Sequence, residues 1–125
     1  MMATWSKDEI DKIAAAEELE IAPARRDGTL RRPTTIWVVR HDDDLYVRSY
    51  HGRGGGWIRR ALQAHQGRIR VGGVERDVVF EEPDDSVQGA IDQAYRTKYA
   101  RYGSTYVKPM VSPDAAAATL RLIPC

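Results

Sequence analysis

The stretch that decides the fold is residues 32–50, which read RPTTIWVVRHDDDLYVRSY. Residues 34–39 are β-branched or aromatic, a composition that packs well on the pleated surface of a sheet. Pro33 cannot donate to a β-ladder, so the chain there belongs at a sheet edge or a bulge. The polar run 41–44 reverses the chain, and LYVRSY returns it. The pattern predicts strands over 29–40 and 45–50 that pair as a hairpin.

The rest of the chain carries clear start and stop patterns. Ser6 and Glu9 have the spacing of a capping box at the start of a helix, and Asp85 and Gln88 repeat it. Glycines at 67 and 103 are placed to end helices, and the Gly72-Gly73 pair predicts a tight hairpin. In chain order the predicted elements are a helix over 6–16, strands over 18–24, 29–40 and 45–50, a helix over 57–66, strands over 68–71 and 74–80, helices over 87–102 and 112–118, and a strand over 119–123.

This order places the chain in the α+β class. Six strands linked mainly by hairpins form a mostly antiparallel sheet, and six strands can curl into a small barrel. A length of 125 residues suits a single domain over 1–125. We expect its parts to be the N-terminal helix 6–16, the barrel 18–80, and the helices and last strand 84–123.

Composition points to a cytoplasmic protein. The one cysteine, Cys125, excludes an intramolecular disulfide and suits a reducing compartment. The first residues lack the basic-then-apolar order of a secretory signal, and no stretch approaches the ~20 apolar residues that span a bilayer. We therefore expect no membrane association.

Charge is unevenly distributed although the net charge is only +1. Residues 21–80 hold 12 arginines and no lysine against 6 acidic residues, whereas the two flanks are acidic. A basic middle favours an anionic small molecule over a nucleic acid, which usually needs a broad basic face. An arginine-rich composition inherited from a GC-rich genome explains the same bias without any ligand.

The strongest candidate site is a polar patch on the predicted hairpin. Arginine forks donate paired, charge-assisted hydrogen bonds to phosphate, and hydroxyl and loop N–H groups fill the remaining acceptor positions. The alternative is a solvated strand face with surface arginines. The patch comprises Arg31, Arg32, Thr34 and Thr35 on one strand, Arg48 and Ser49 on its partner, and the glycine loop beginning at Gly52.

Two tryptophans are candidates for flanking a flat ring. Trp57, at a helix start beside three glycines, suits a pocket wall, whereas Trp37 inside a strand is better explained as core. Arg59 and Arg60 fall in the first turn of the same helix, where a nearby anion would offset their unfavourable position. Solvated arginines are the alternative explanation.

His51 is the histidine adjacent to this patch, and it is the candidate proton or hydrogen-bond donor. A solvent-facing loop histidine is the alternative. The histidines and the cysteine do not form a metal-binding pattern, so we predict no metal. The glycine run lacks the Lys-Ser/Thr ending of a P-loop and does not match the dinucleotide fingerprint.

The segment 32–62 resembles the deazaflavin-dependent nitroreductases of the pyridoxamine-phosphate-oxidase-like, FMN-binding split-barrel superfamily. The resemblance lies in a Thr/Pro-containing basic strand, a hairpin to a strand ending at Ser49, a glycine-rich stretch, and Trp57 leading a helix. The whole chain, including YRTKY at 95–99 and the ending ATLRLIP, is closer still to an uncharacterised bacterial branch, domain of unknown function 2255. The resemblance implies a six-stranded, mostly antiparallel split β-barrel with flanking helices.

The same resemblance implies a function. Members of the superfamily bind FMN or a deazaflavin, transfer hydride to a small organic substrate, hold the cofactor phosphate against residues of the patch above, and pair as homodimers around shared sites. This chain has Gly54-Gly55-Gly56 where the nitroreductase-like pattern has Pro and His before the Trp. Two other readings therefore stay open: a binding protein that kept the barrel and lost the flavin, and a cofactor-free enzyme using His51 or a tyrosine as acid or base.

Overall fold

The computed structural model describes residues 4–125. None of its helices is long and apolar enough to cross a bilayer. Four short 3₁₀ turns connect the regular elements, at Gly52–Gly54, Asp85–Val87, Ala100–Tyr102 and Lys108–Val111. In this range the helices and strands are α1 Lys7–Ala15, β1 Leu19–Pro23, β2 Thr34–Ile36, β3 Val39–His41, β4 Asp44–Arg48, α2 Gly56–Ala64, β5 Gln66–Val71, β6 Val74–Glu81, α3 Gln88–Lys98, α4 Ser104–Val107, α5 Pro113–Ala116 and β7 Thr119–Pro124.

All seven strands form one antiparallel sheet in the order β2-β1-β5-β6-β7-β4-β3. The two outermost strands, β2 and β3, are neighbours in the chain and are joined only by Trp37 and Val38. Because the three Cα–Cα steps from Ile36 to Val39 span at most about 11 Å, the sheet must curl until its two edges approach each other. The result is a barrel that is open, or split, between β2 and β3.

The structure has seven strands where six were predicted, because the expected strand over 29–40 divides at Trp37 and Val38. The N–H of Val38 donates to the Tyr99 hydroxyl at 3.1 Å instead of joining a ladder. The two halves then pair with different partners: Ile36 lies opposite Leu19 of β1, whereas β3 pairs with β4. The prediction that residues 31–35 and residues 48–49 lie on paired strands was therefore wrong.

The core lies on both faces of the sheet because β4 alternates its side chains. Leu45 and Val47 point into the barrel, where they join Ile21 and Ile58. Tyr46 points outward and packs with Ile91 and other α3 residues. Both faces are covered, so α3 and the segment after it become part of the wall around the barrel opening.

The first predicted cap is present and the second is not. Ser6 Oγ accepts from the Glu9 N–H at 3.1 Å, and Glu9 Oε1 accepts from the Ser6 N–H, which confirms the capping box. Asp85 and Gln88 form no such box: Gln88 Oε1 instead accepts hydrogen bonds from Arg48 and Thr119. The Gln88 side chain therefore bonds to residues that are distant in sequence rather than to the start of its own helix.

The ends of α2 and α3 differ in part from the ends predicted at Gly67 and Gly103. The second helix stops at a left-handed His65, φ 61°, rather than at Gly67. Gly67 lies in β5, where an added Cβ would come within 2.4 Å of the Ala22 carbonyl oxygen, so close strand approach explains this glycine. The helix expected over 87–102 ends at Lys98 and continues as a 3₁₀ turn, and Gly103, φ 84°, stops it as predicted.

Candidate functional site

A cavity of about 580 Å³ opens at the split of the barrel. Its volume lies within the ~300–1,000 Å³ range that is usual for small-molecule sites. Five parts of the chain supply its wall: the residue before β1, β2 and the residues after it, the end of β4 with the residues after it, the start of α2, and α4 with the following turn. Its lining residues are Glu18, Thr34, Thr35, Ile36, Trp37, Arg48, Ser49, Tyr50, His51, Trp57, Thr105, Tyr106, Pro109 and Met110.

The curl of the sheet brings most of the sequence-predicted site residues to this one cavity, although β2 and β4 are not paired. Those that line it are Thr34, Thr35, Trp37, Arg48, Ser49, His51 and Trp57. Those that do not are Arg31, Arg32, Gly52 and Arg60. The wall contributed by residues 105–110 was missed, because nothing local in the sequence relates it to a hairpin about 60 residues earlier.

Arg48 forms the cavity floor, and its guanidinium is fully buried. Nε donates to Thr119 Oγ1 at 3.0 Å. One terminal nitrogen donates to Asp92 Oδ1 at 2.5 Å and to the Met110 carbonyl at 2.9 Å. The other donates to the carbonyl and side-chain oxygens of Gln88 at 3.3 and 2.6 Å. All five N–H groups therefore have partners within the protein.

This saturation argues against the phosphate-binding role predicted for Arg48. A guanidinium with every donor in use has none left for a ligand, and the Asp92 carboxylate already balances its charge. Arg48 instead ties β4 to β7, α3 and the turn that carries Met110. Its partners lie 40 to 71 residues away in sequence, beyond any local pattern.

Ser49 differs from Arg48 because its buried hydroxyl is left without a hydrogen-bond partner among the described residues. It is 1 % exposed, it lines the cavity, and its Oγ has no hydrogen-bond partner among the described residues. A Cβ added at Gly55 would lie 2.7 Å from this oxygen, so the absent side chain leaves the hydroxyl its space. Gly55 is the N-cap of α2 and provides no capping side chain. The first turn of α2 also contains no acidic residue, so its N–H groups remain available beside the Ser49 hydroxyl.

The two predicted ring-flanking tryptophans are placed differently. Trp37 stacks on Tyr99 with ring centroids 3.9 Å apart and planes 3° from parallel, so one of its faces is already covered. Burial raises the pKa of Tyr99, whose hydroxyl lies 2.7 Å from the Glu17 carbonyl oxygen. Trp57 forms the α2 side of the cavity and has no aromatic partner among residues 4–125.

Aromatic side chains also surround the mouth of the cavity. Tyr50 and Tyr106 are 57 % and 65 % exposed. The exposed His51 lies against Tyr50, with ring centroids 4.0 Å apart. The mouth is therefore apolar and aromatic, with one titratable imidazole at its edge.

Of the six arginines whose side chains have no ion-pair or hydrogen-bond partner among residues 4–125, four are relevant to the cavity although they do not line it. They lie close in sequence to lining residues, two before β2 and two in α2, and they are Arg31, Arg32, Arg59 and Arg60. The Arg60 guanidinium lies over the first turn of α2, 3.4 Å from where a Gly56 Cβ would be. Gly52, φ 71°, packs against Asp114. Among the described residues no three His, Cys, Asp or Glu side chains are placed to hold a metal ion.

Solved structures similar to this chain share the split-barrel fold. An FAD-binding protein from Mesorhizobium loti superimposes with a TM-score of 0.63 at 17% identity, covering 100% of this chain and 94% of that one. An F420 reductase gives 0.53 at 13% identity, covering 91% and 89%. An FAD and heme binding protein from Mycobacterium smegmatis gives 0.54 at 20% identity, covering 98% and 66%. At these identities the likeness concerns fold alone.

A search of curated proteins found no significant match. A family model described as uncharacterized protein conserved in bacteria matches residues 9–122, nearly the whole chain. The fold of this chain is shared by the FAD-binding protein and the F420 reductase, and the family match identifies the chain as a member of DUF2255.

Proposed function

We propose that the cavity binds a flavin or deazaflavin mononucleotide-type cofactor and that the protein is an oxidoreductase. The observation that carries this proposal is the unpartnered Ser49 hydroxyl, buried beside the uncapped start of α2. A buried polar group without a partner costs about 1–3 kcal/mol, so such groups usually meet a ligand or water. The similar structures described as FAD-binding and as an F420 reductase support a cofactor of this class.

The α2 end of the cavity suits the anionic part of the ligand. Free N–H groups and the positive end of the helix dipole attract phosphate, and the Ser49 hydroxyl adds a donor at the same place. Arg60, and Arg59 in the same helical turn, have no acidic partner among the described residues. The anion would thus be held by α2 and Ser49 rather than by Arg48.

The remainder of the cavity suits a flat ring. Trp57 offers an aromatic surface with no ring stacked on it among the described residues, and Thr34 and Thr35 offer hydroxyls on the β2 side. Pro109 and Met110 restrict water on the α4 side. When bound, the cofactor would supply hydride transfer, and the protein would supply position and electrostatics. His51 is placed at the mouth, where it can hold a proton near an incoming substrate.

Binding can be tested with FMN, FAD and F420 titrated against the purified protein, read by quenching of tryptophan fluorescence. Saturable quenching that decreases when Trp57→Phe removes one of the two tryptophans in the lining supports the proposal. Ser49→Ala should weaken binding by about 0.5–1.5 kcal/mol, and more if the bond is to a charged phosphate. Ser86→Ala is the matched control, because Ser86 is exposed and outside the cavity.

No binding of any of the three at tens of micromolar would contradict the flavin proposal. It would favour the second candidate, a binding protein that kept the barrel and takes another anionic or aromatic small molecule. The observation favouring this second candidate is that the only cation in the lining, Arg48, is already neutralised within residues 4–125.

We also propose that the protein forms a homodimer, as split barrels of this superfamily do. The exposed Tyr50 and Tyr106 at the cavity mouth are the side chains that a second copy would cover. Sedimentation velocity of the wild type and of a Tyr106→Glu variant tests this. A monomer at all concentrations in the wild type would contradict it.

A further inference from the structure

The lining of the large cavity carries a negative charge that the fold does not balance. Arg48 is its only arginine or lysine among the described residues, and Asp92 already neutralises that cation at 2.5 Å. Glu18 is the one acidic residue that the described part of the chain places in the lining. No cation pairs with Glu18 among residues 4–125, so its carboxylate stays uncompensated at the cavity wall.

Glu18 differs in this respect from its neighbour in sequence, Glu17. The Glu17 carboxylate accepts hydrogen bonds from Arg101 and Tyr102, so its charge is used within the fold. The exposed Glu18 side chain accepts no hydrogen bond from any group of residues 4–125. Since carboxylates form their strongest contacts with charged partners, Glu18 is available to a cation that enters the cavity.

An aromatic side chain, Trp37, lies beside Glu18. β1 and β2 pair antiparallel with Leu19 opposite Ile36, and the same register continued by one residue brings Glu18 opposite Trp37. Residues opposite each other on neighbouring strands have Cβ atoms about 4.5–5.5 Å apart. Both residues line the cavity, so one ligand group can contact the carboxylate and the indole together.

The Trp37 indole is held in place by the residues behind it. One of its faces stacks on Tyr99 with centroids 3.9 Å apart, and the Tyr99 hydroxyl in turn accepts from the Val38 N–H at 3.1 Å. The part of the indole that lines the cavity is therefore a fixed π surface. A cation within about 6 Å of a ring centroid is attracted by the ring quadrupole, most strongly for tryptophan. The other aromatic residues in the lining are Tyr50, Trp57 and Tyr106.

We propose that this end of the cavity binds a small quaternary ammonium compound, with the Glu18 carboxylate as its counter-charge and the Trp37 indole as its π contact. A quaternary ammonium has a full charge and no N–H group, so one carboxylate and an aromatic wall satisfy it. Its methyl groups suit this aromatic lining, whereas a hydrated metal ion would need several oxygen ligands. The proposal goes beyond the flavin proposal and does not depend on it, because the anion site assigned there lies at the α2 end.

The test follows the indole N–H signals of the three tryptophans in a proton–nitrogen correlation spectrum, assigned with Trp37→Phe and Trp57→Phe. Choline is titrated at constant ionic strength beside its neutral isostere, the alcohol in which carbon replaces the choline nitrogen. Choline should shift the Trp37 signal saturably and bind on the order of tenfold more tightly than the alcohol, because only the charged compound gains the ion pair and the cation–π contact. The signal of Trp5, whose Nε1 donates to the Leu122 carbonyl in the core, should not move.

Two variants test the carboxylate itself. Glu18→Gln keeps the size of the side chain and removes its charge, so it should weaken choline binding about threefold and leave binding of the alcohol unchanged. Glu20→Gln is the matched control, because Glu20 also has no partner among residues 4–125 but does not line the cavity. Equal affinities for choline and the alcohol, or equal effects of the two variants, would overturn the proposal. Neither result bears on the flavin titration, so the two proposals can fail separately.

Discussion

Two regions of the large cavity, its floor and the side beside α2, each contain a buried polar side chain, and these two residues are adjacent in the sequence. The two side chains differ in whether their hydrogen-bonding groups have partners. Arg48, in the floor, is a buried charge with every donor satisfied. Ser49, beside α2, is a buried hydroxyl with no partner among the described residues. The difference teaches that residue type alone does not identify a ligand-binding group. A saturated group holds the scaffold, and an unsatisfied one remains for the ligand.

The largest expected effect comes from removing the satisfied charge. Arg48→Met leaves Asp92 unpaired and frees the turn that carries Met110, so we expect a loss of about 3–5 kcal/mol in unfolding free energy. Urea unfolding followed by circular dichroism measures it. Arg96→Met, at an exposed position of α3, is the control and should stay within about 0.5 kcal/mol of the wild type. A loss below about 1 kcal/mol for Arg48→Met would contradict a structural role.

Tyr99 and Tyr95 provide a second test of the difference between a buried group with a partner and one without. The Tyr99 hydroxyl accepts from Val38 at the break between β2 and β3, so Tyr99→Phe should cost about 1–3 kcal/mol by leaving that N–H unpaired. The Tyr95 hydroxyl is buried without a partner among residues 4–125, and burial raises its pKa. Tyr95→Phe should therefore leave stability unchanged or raise it. Thermal unfolding of both variants measures the two changes in stability. Equal losses of stability would contradict the predicted difference between Tyr99 and Tyr95.

Two hydroxyls allow the same comparison: that of Thr119, which contacts Arg48, and that of Ser49, which lines the cavity. Thr119→Val removes an oxygen that accepts from Arg48 at 3.0 Å, so it should destabilise the protein by about 1–2 kcal/mol. Ser49→Ala removes a buried oxygen that has no partner among the described residues, so the free energy of unfolding should stay unchanged or rise. Ligand affinity should respond to Ser49→Ala. Unfolding curves that show the reverse order would disprove this assignment.

The smallest effect is a pH dependence at Lys98, a partly buried cation with no carboxylate partner among residues 4–125. Its pKa is lowered in the folded protein, so between about pH 8 and 10.5 the unfolded chain binds more protons. The free energy of unfolding contributed by this group must therefore rise with pH across that window. Comparing wild type with Lys98→Met at pH 7.5 and pH 10 measures the slope, which should be larger in the wild type.

Local patterns predicted the features that depend only on neighbouring residues. The capping box at Ser6 and the stop at Gly103 are both present, because each needs contacts within three or four residues. The same reasoning failed at Gln88, where the side chain had a stronger distant partner. It also failed at Trp37 and Val38, since a hydroxyl 61 residues away takes the Val38 N–H.

Several of the residues predicted for the candidate site lie around one cavity, but the strand pairing predicted to bring them together was wrong. Thr34, Thr35 and Ser49 line one cavity, but β2 pairs with β1 and only the curl of the sheet brings it to the end of β4. Whether Arg48 was satisfied could not be judged from its neighbours in sequence. Its partners come from α3, β7 and the turn after α4.

The sequence by itself determined the α+β class, the antiparallel pairing of hairpin strands and the local helix caps, because these follow from side-chain periodicity and short-range hydrogen bonds. The tertiary structure alone decided where the sheet splits, which polar groups are saturated, and which remain open to a ligand. Satisfaction of a buried group depends on partners that are distant in the chain and close in space, and only the packed fold brings them together.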